Sequence, residues 1–328
     1  MDGVLVVDKP VGPTSHDVVA RARRALGESR IGHTGTLDPG ASGVLPLVIG
    51  RATRLARFLS GADKHYQVLV RLGWSTETGD AQGAPVGERY EGDLPSQDSI
   101  EAVLETFRGT FLQQPPAYSA KRVDGKRSYK LARAKARALM EGARTGHQAL
   151  GTEQQHPAPG TRHPAPVPVT VTALTLVTMD QRSVTLDVSC SAGFYVRALA
   201  RDLGERLGTG GHVAALRRVG SGEYRLADAI TLDLLDRNHE AAAEAVIPLS
   251  QLLRDLAAVV LTANGMTRAK NGCELRPGDL MPGPEGPGLH LDAEAPDWIR
   301  MLDPAGQLIG LARSARGSGL LHPSVVLM

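Results

Sequence analysis

The hydrophobic pattern changes period several times along the chain, and each change marks an element. Residues 3–10, GVLVVDKP, hold a short continuous apolar run, which predicts a buried strand ending in a turn at Lys9-Pro10. From Thr14 the period becomes helical. Val18, Val19, Ala22, Ala25 and Leu26 make one apolar stripe, Thr14 or Ser15 caps its start, and Gly27 stands where a C-cap glycine belongs. A glycine-rich loop, HTGTLDPGASG at 33–43, leads into a second apolar run, GVLPLVIG, that turns into a helix near Ala52. HYQVLVRLG (65–73) predicts a strand, WSTETGDAQG (74–83) a polar loop and DSIEAVLETFRGTF (98–111) an amphipathic helix. Residues 169–190 alternate apolar and polar positions on both sides of Asp180-Gln181, the pattern of a hairpin, and FYVRALARDLGERLG (194–208) predicts a helix stopped near Gly208. Strands and helices mixed in this way, without strict alternation, predict an α+β fold around a mixed sheet.

Two stretches break the pattern. Residues 113–140 start as a loop and end as a very basic helix. Residues 141–168 hold five prolines among Gly, His and Gln and predict a flexible insertion with no core of its own. Past Leu252–Leu256, short apolar runs separated by GPEGPG and DPAG turns predict a small β-rich second domain. The expected division is therefore 1–250 and 251–328.

Composition narrows the class. The 328 residues are 42% hydrophobic but only 4% aromatic, so the core has to rest on Leu, Val and Ala. Two distant cysteines and ten scattered histidines give no ligand spacing, so neither a structural zinc site nor a disulfide framework is expected. The first residues read as a strand rather than a signal peptide, and no apolar run approaches the roughly 18 residues of a membrane span. A soluble cytoplasmic protein with no membrane contact is the expectation.

The net charge of +2 is uninformative until its distribution is considered. Lys121–Arg137 carries eight Lys or Arg and one Asp, and Arg21, Arg23 and Arg24 form a second cluster, as do Arg217 and Arg218. Segregated positive charge suits a phosphate backbone, and Tyr118 and Tyr129 in the same stretch suit stacking on unpaired bases.

The glycine-rich loop holds one carboxylate, Asp38. Gly35 and Gly40 have a Walker-type separation, but Ala41-Ser42 follows where a lysine is needed to hold phosphates, and no G-x-G-x-x-G occurs there. An isolated Asp-Pro-Gly is a turn. Here Asp38 lies between Leu37 and Pro39 and between two apolar strands, so partial desolvation is expected to demand a partner cation. A carboxylate held ionised in that way is a candidate nucleophile.

Several motifs then fall in order: GVLVVDKPVGPTSHDVV, GHTGTLDPGASGVLPLVIGRATRL, DKHYQVLVRLGWSTETGDAQG, QQPPAYSAKRVDGKRSY and CSAGFYVRALARDLGERLGTGGHVAALRR. Together they resemble the bacterial tRNA pseudouridine-55 synthases, the TruB family, over nearly all of residues 3–250 except the insertion. The C-terminal region resembles the small β-rich PUA module more loosely. The resemblance implies a pseudouridine synthase catalytic domain that isomerises uridine 55 in the T arm of tRNA, with no cofactor or metal. It makes Asp38 the nucleophile, at sugar C1′ or base C6. It makes Tyr66 the platform stacked on the target base and Arg197 the partner cation. His33 fills the space left by the flipped base, Tyr195 and Leu216 line it, and Lys9 supports the site's loops. Base flipping explains why an aromatic platform and a space-filling side chain are needed together, since extrusion costs a few kcal/mol. The implied partner is tRNA, held by its T arm with the acceptor end reached through the C-terminal domain, and the enzyme is expected to be a monomer. Phe194 departs from the family's usual Thr, and Lys121-Arg122 from its Leu-Lys. A second reading, from the binding class, is a tRNA-folding chaperone in which catalysis is secondary.

Overall fold

In a computed structural model, residues 1–116, 122–123, 126–127, 165–281, 296–315 and 319–328 are described, with backbone alone at 122–123, 126–127 and 315. The chain divides into two compact units, Met1–Ala62 with Ser221–Met328, and Asp63–Gly220.

The first unit opens with β1 (Gly3–Lys9), α1 (Ser15–Leu26), β2 (Ile31–His33) and β3 (Ala41–Ile49). β1 and β3 pair antiparallel from Gly3↔Ile49 to Lys9↔Gly43, and β2 pairs β3 from Ile31↔Ile49 to His33↔Leu47. The continuous apolar runs are explained by burial: almost every residue of β1 and β3 is buried. Thr14 caps α1 and closes a capping box with Asp17, and Gly27 takes the left-handed conformation at its end. After β3 the expected helix is a 3-10 turn, Gly50–Leu55, followed by one short α-helix, Ala56–Ser60.

The second unit contains β4 (Lys64–Leu72), α2 (Gln97–Glu105), β5 (Gly109–Gln113), β6 (Val167–Asp180), β7 (Ser183–Cys190), α3 (Val196–Arg206) and β8 (Gly211–Ser221). Its strands run in the order β8-β4-β7-β6-β5, and the β6–β7 hairpin closes at Asp180↔Ser183 as the alternation predicted. Tyr66, Val68, Val70 and Leu72 of β4 share a core with Val184, Leu186 and Val188 of β7 and with Leu199 and Leu203 of α3. One expectation is corrected. The helix read over 98–111 ends at Glu105: the Thr106, Phe107 and Arg108 N–H groups bond to carbonyls three residues back in a tightened turn, Gly109 takes φ 80, and Thr110, Phe111 and Leu112 then pair with β6. The loop after β4 also carries a small ladder, Ser75–Thr76 against Pro85–Val86. The predicted insertion and basic helix lie outside the described residues except for 165–168, where Val167 and Pro168 already pair with Gln113 and Leu112, and for a two-residue ladder joining 122–123 to 126–127.

The first unit closes with β9 (Ala258–Val260), α4 (Ala263–Lys270), β10 (Trp298–Leu302), β11 (Leu308–Ala315) and β12 (Leu320–Val326), a small four-stranded sheet in the order β9-β10-β11-β12. Its own core is built on Val259, Ile299, Met301, Ile309 and Leu321. The architecture is thus α+β with mixed sheets and a small C-terminal sheet. Among the described residues no helix is long and apolar enough to cross a membrane.

Candidate active site

Asp38 lies in the loop joining β2 to β3, and α1 reaches across to hold that loop. The buried Ser15 hydroxyl accepts from the Leu37 N–H (2.9 Å) and donates to the Leu37 carbonyl (3.0 Å). Gly12 N–H donates to the Pro39 carbonyl (2.8 Å), Thr34 N–H to Pro46 (3.1 Å) and Ala41 N–H to the Asp38 carbonyl (3.0 Å). Leu37 is buried beneath the loop, whereas Asp38 itself is half-buried. The carboxylate is therefore carried on backbone fixed on both sides of it.

Lys9 and His33 lie in the same unit. Lys9 is fully buried, and its ammonium donates to the carbonyls of Pro10 (2.8 Å) and Pro13 (2.9 Å). It clasps the turn whose Gly12 bonds to Pro39, so its expected support of the loop has a concrete path. The half-buried His33 ends β2 and meets His16 edge to face, with ring centroids 5.4 Å apart.

Tyr66, Tyr195, Arg197 and Leu216 lie in the second unit. Tyr66 stands on β4 opposite Val188 and points inward, 9% exposed, with its ring in the core cluster. Arg197 is the second residue of α3; its Nη1 donates to the Thr78 carbonyl (2.8 Å) and lies 4.0 Å from an Asp80 oxygen. Asp80 is itself held by the Thr78 hydroxyl (2.6 Å) and Gln82 N–H (3.0 Å). Gly79, at φ 73, lets this turn approach α3: a Cβ there would sit 3.3 Å from that of Arg197. Tyr195 caps α3, and the buried Gln113 amide grips its backbone from both sides, accepting from Tyr195 N–H (2.8 Å) and donating to its carbonyl (3.1 Å). Leu216, half-buried on β8, packs against the same core, and Phe194 is buried in it, which fits an apolar residue there better than a hydroxyl.

Sequence reasoning missed Ser15 in this role, Gln113 and Lys64. Lys64 points inward on β4 two residues from Tyr66; burial, assisted by the charge of Arg218, pushes its ammonium down to about 8. Opposite it, burial pushes the Cys190 thiol up to about 12. The basic clusters are also partly corrected. Arg218 is 1% exposed, because it falls on an inward position of β8, while Arg21 bonds Asp236 (2.9 Å) and Arg23 bonds the Ile31 carbonyl (2.7 Å). Among the described residues, no three His, Cys, Asp or Glu side chains gather as a metal site.

The family models for "TruB family pseudouridylate synthase (N terminal domain)" and "tRNA pseudouridylate synthase B C-terminal domain" match residues 23–146 and 197–261. A tRNA pseudouridine synthase B of Solibacter usitatus is 39% identical over 329 residues, covering 100% of both chains. One from Burkholderia lata is 40% identical over 319 residues, covering 97% of this chain and 88% of that protein. Among solved structures, a Cbf5-Nop10-Gar1 complex aligns with a TM-score of 0.68 at 25% identity, covering 99% of this chain and 85% of that one. An H/ACA RNP bound to a substrate RNA containing 2′-deoxyuridine aligns with the same TM-score and coverage at 24% identity, a likeness of fold. Fold and motifs together define a pseudouridine synthase. Within that class, the chain belongs to the TruB family.

Proposed function

We propose that this protein is a tRNA-modifying isomerase that converts uridine 55 of the T arm to pseudouridine. The observation that carries the reading is the Asp38 loop: a carboxylate on backbone clamped from α1, in a chain alike over its full length to proteins named tRNA pseudouridine synthase B. Asp38 is the nucleophile, attacking the flipped nucleotide at C1′ or C6. The N1–C1′ bond breaks, the base turns, and a C5–C1′ bond forms; the proton leaving C5 is balanced by one gained at N1. The product is an isomer, so no redox partner or group donor is required.

The other roles follow from the resemblance. Tyr66 stacks on the base, Arg197 is the partner cation of the nucleophile, His33 fills the vacated space, Tyr195 and Leu216 shape the base site, and Lys9 supports the loops. Residues 1–250 carry catalysis, and the PUA-like residues 251–328 bind RNA towards the acceptor end. The enzyme works as a cytoplasmic monomer.

The test is turnover on an unmodified tRNA transcript with the modified position mapped. Wild type should convert the T-loop uridine, and Asp38→Asn should abolish conversion while leaving tRNA binding within about threefold, as expected for loss of a covalent step. Substantial turnover by Asp38→Asn would falsify the assignment. Full rescue of tRNA folding by that variant, without any measurable wild-type turnover, would favour the chaperone reading.

A further inference from the structure

We propose that Ser15 is a positioning residue for this reaction, fixing the backbone that carries Asp38. The inference rests on Asp38 being the nucleophile. Ser15 opens α1, but the helix does not draw on its hydroxyl for capping: Thr14 is the cap and closes the box with Asp17. The Ser15 oxygen, on a residue 1% exposed, instead directs both its hydrogen-bonding functions to one residue 22 positions away. A hydroxyl can donate and accept at once, and Leu37 uses both.

Which atoms are held matters. The Leu37 carbonyl belongs to the Leu37–Asp38 peptide, whose planar unit runs from the Leu37 Cα to the Asp38 Cα. Holding that oxygen orients the plane from which the Asp38 side chain departs. Holding the Leu37 N–H fixes the preceding plane as well. On the far side, the Asp38 and Pro39 carbonyls accept from Ala41 and Gly12. The nucleophile's backbone is thereby bounded in both directions, with Ser15 supplying the upstream restraint. A reaction that needs its attacking oxygen placed within a fraction of an ångström is sensitive to this restraint, whereas tRNA binding is not.

The experiment compares wild type, Ser15→Ala and Ser15→Thr on unmodified tRNA transcript, with hydrogen exchange at the Leu37 amide as a second readout. Ser15→Ala should lower kcat roughly 10- to 100-fold, the scale of a small misplacement, with KM changed less than about twofold. Its Leu37 amide should exchange faster. Ser15→Thr keeps the hydroxyl and should restore most of kcat and the protection. A folded Ser15→Ala enzyme with wild-type kcat overturns the proposal, as does a Ser15→Thr variant as slow as Ser15→Ala. A Ser15→Ala chain that does not fold overturns it too, because the hydroxyl would then support the whole unit rather than position one loop. Wild-type kcat in Ser15→Ala beside an inactive Asp38→Asn sinks only this inference; turnover by Asp38→Asn sinks the reading beneath it.

Discussion

Leu37 in the first unit and Tyr195 in the second are each gripped at N–H and carbonyl by one buried polar side chain, yet the chemistry of the two grips differs. Ser15 does it with a single oxygen from 22 positions away, and Gln113 with two amide atoms from 82 positions away. The hydroxyl hydrogen rotates to suit its acceptor, so a threonine can replace the serine in principle. The amide has its donor and acceptor at a peptide's spacing, and it pairs with Tyr195 as an opposing strand residue would. No other side chain reproduces both functions at that reach: Asn is shorter, and Glu gives up the donor. The same restraint on a backbone segment is thus replaceable in one unit and nearly unique in the other.

The most damaging way to probe that contrast is Gln113→Leu. It removes the Gln113 acceptor from the Tyr195 N–H and one of the donors on the Tyr195 carbonyl, which also accepts from the Ala198 and Leu199 N–H groups; losing the partner of one buried group costs about 1–3 kcal/mol. A loss of about 1–3 kcal/mol in urea unfolding is expected, together with a fall in kcat that Gln113→Asn does not repair. Wild-type stability and kcat in Gln113→Leu would show that the two grips are not equivalents.

Thr14→Ala supplies the smaller, opposite case. Thr14 neighbours Ser15 but serves α1 alone, through the Asp17 N–H and the capping box. Removing a threonine cap costs about 1 kcal/mol. The expected outcome is lower stability with kcat intact, the reverse of Ser15→Ala. If Thr14→Ala slows catalysis as much as Ser15→Ala, general loosening of α1 explains both, and the distinction drawn between adjacent hydroxyls collapses.

That adjacency also shows where sequence reading stops. Periodicity located α1, its C-cap glycine, the buried runs of β1 and β3 and the β6–β7 hairpin, because each is a local pattern. It offered Thr14 and Ser15 as interchangeable caps, since nothing local reveals that one faces the helix and the other a loop two dozen residues on. Gln113 was invisible for the same reason at greater range. A run of arginines suggests surface charge, but on a strand every second residue turns inward, and Arg218 does. The helix read through Phe111 failed from Thr106 onward, where the chain tightens into a turn leading to Gly109, whose positive φ cannot be known from apolar spacing. Asp38 stood out as a carboxylate in an apolar setting. The identity of its reaction came from the resemblance, because an Asp-Pro-Gly turn has no reaction written into it.

Buried cations extend the comparison and give its gentlest test. Lys9 in the first unit is buried with its ammonium on the Pro10 and Pro13 carbonyls. Lys64 in the second points inward from β4, and desolvation, then the nearby Arg218 charge, lowers its pKa from 10.5 to about 8. The unfolded chain keeps the ordinary value. Between about pH 8 and pH 10.5 the unfolded state therefore binds more protons than the folded one, and stability should rise with pH across that window. Below it Lys64 is charged in both states, and above it neutral in both, so its contribution to the slope vanishes. Other groups titrate in the same range, so the measurement is a difference: urea midpoints of wild type and Lys64→Met at neutral pH and at points within the window. Wild type should gain on the variant as pH rises, by a drift rather than a step. Parallel midpoints would mean that Lys64 keeps its ordinary affinity for the proton.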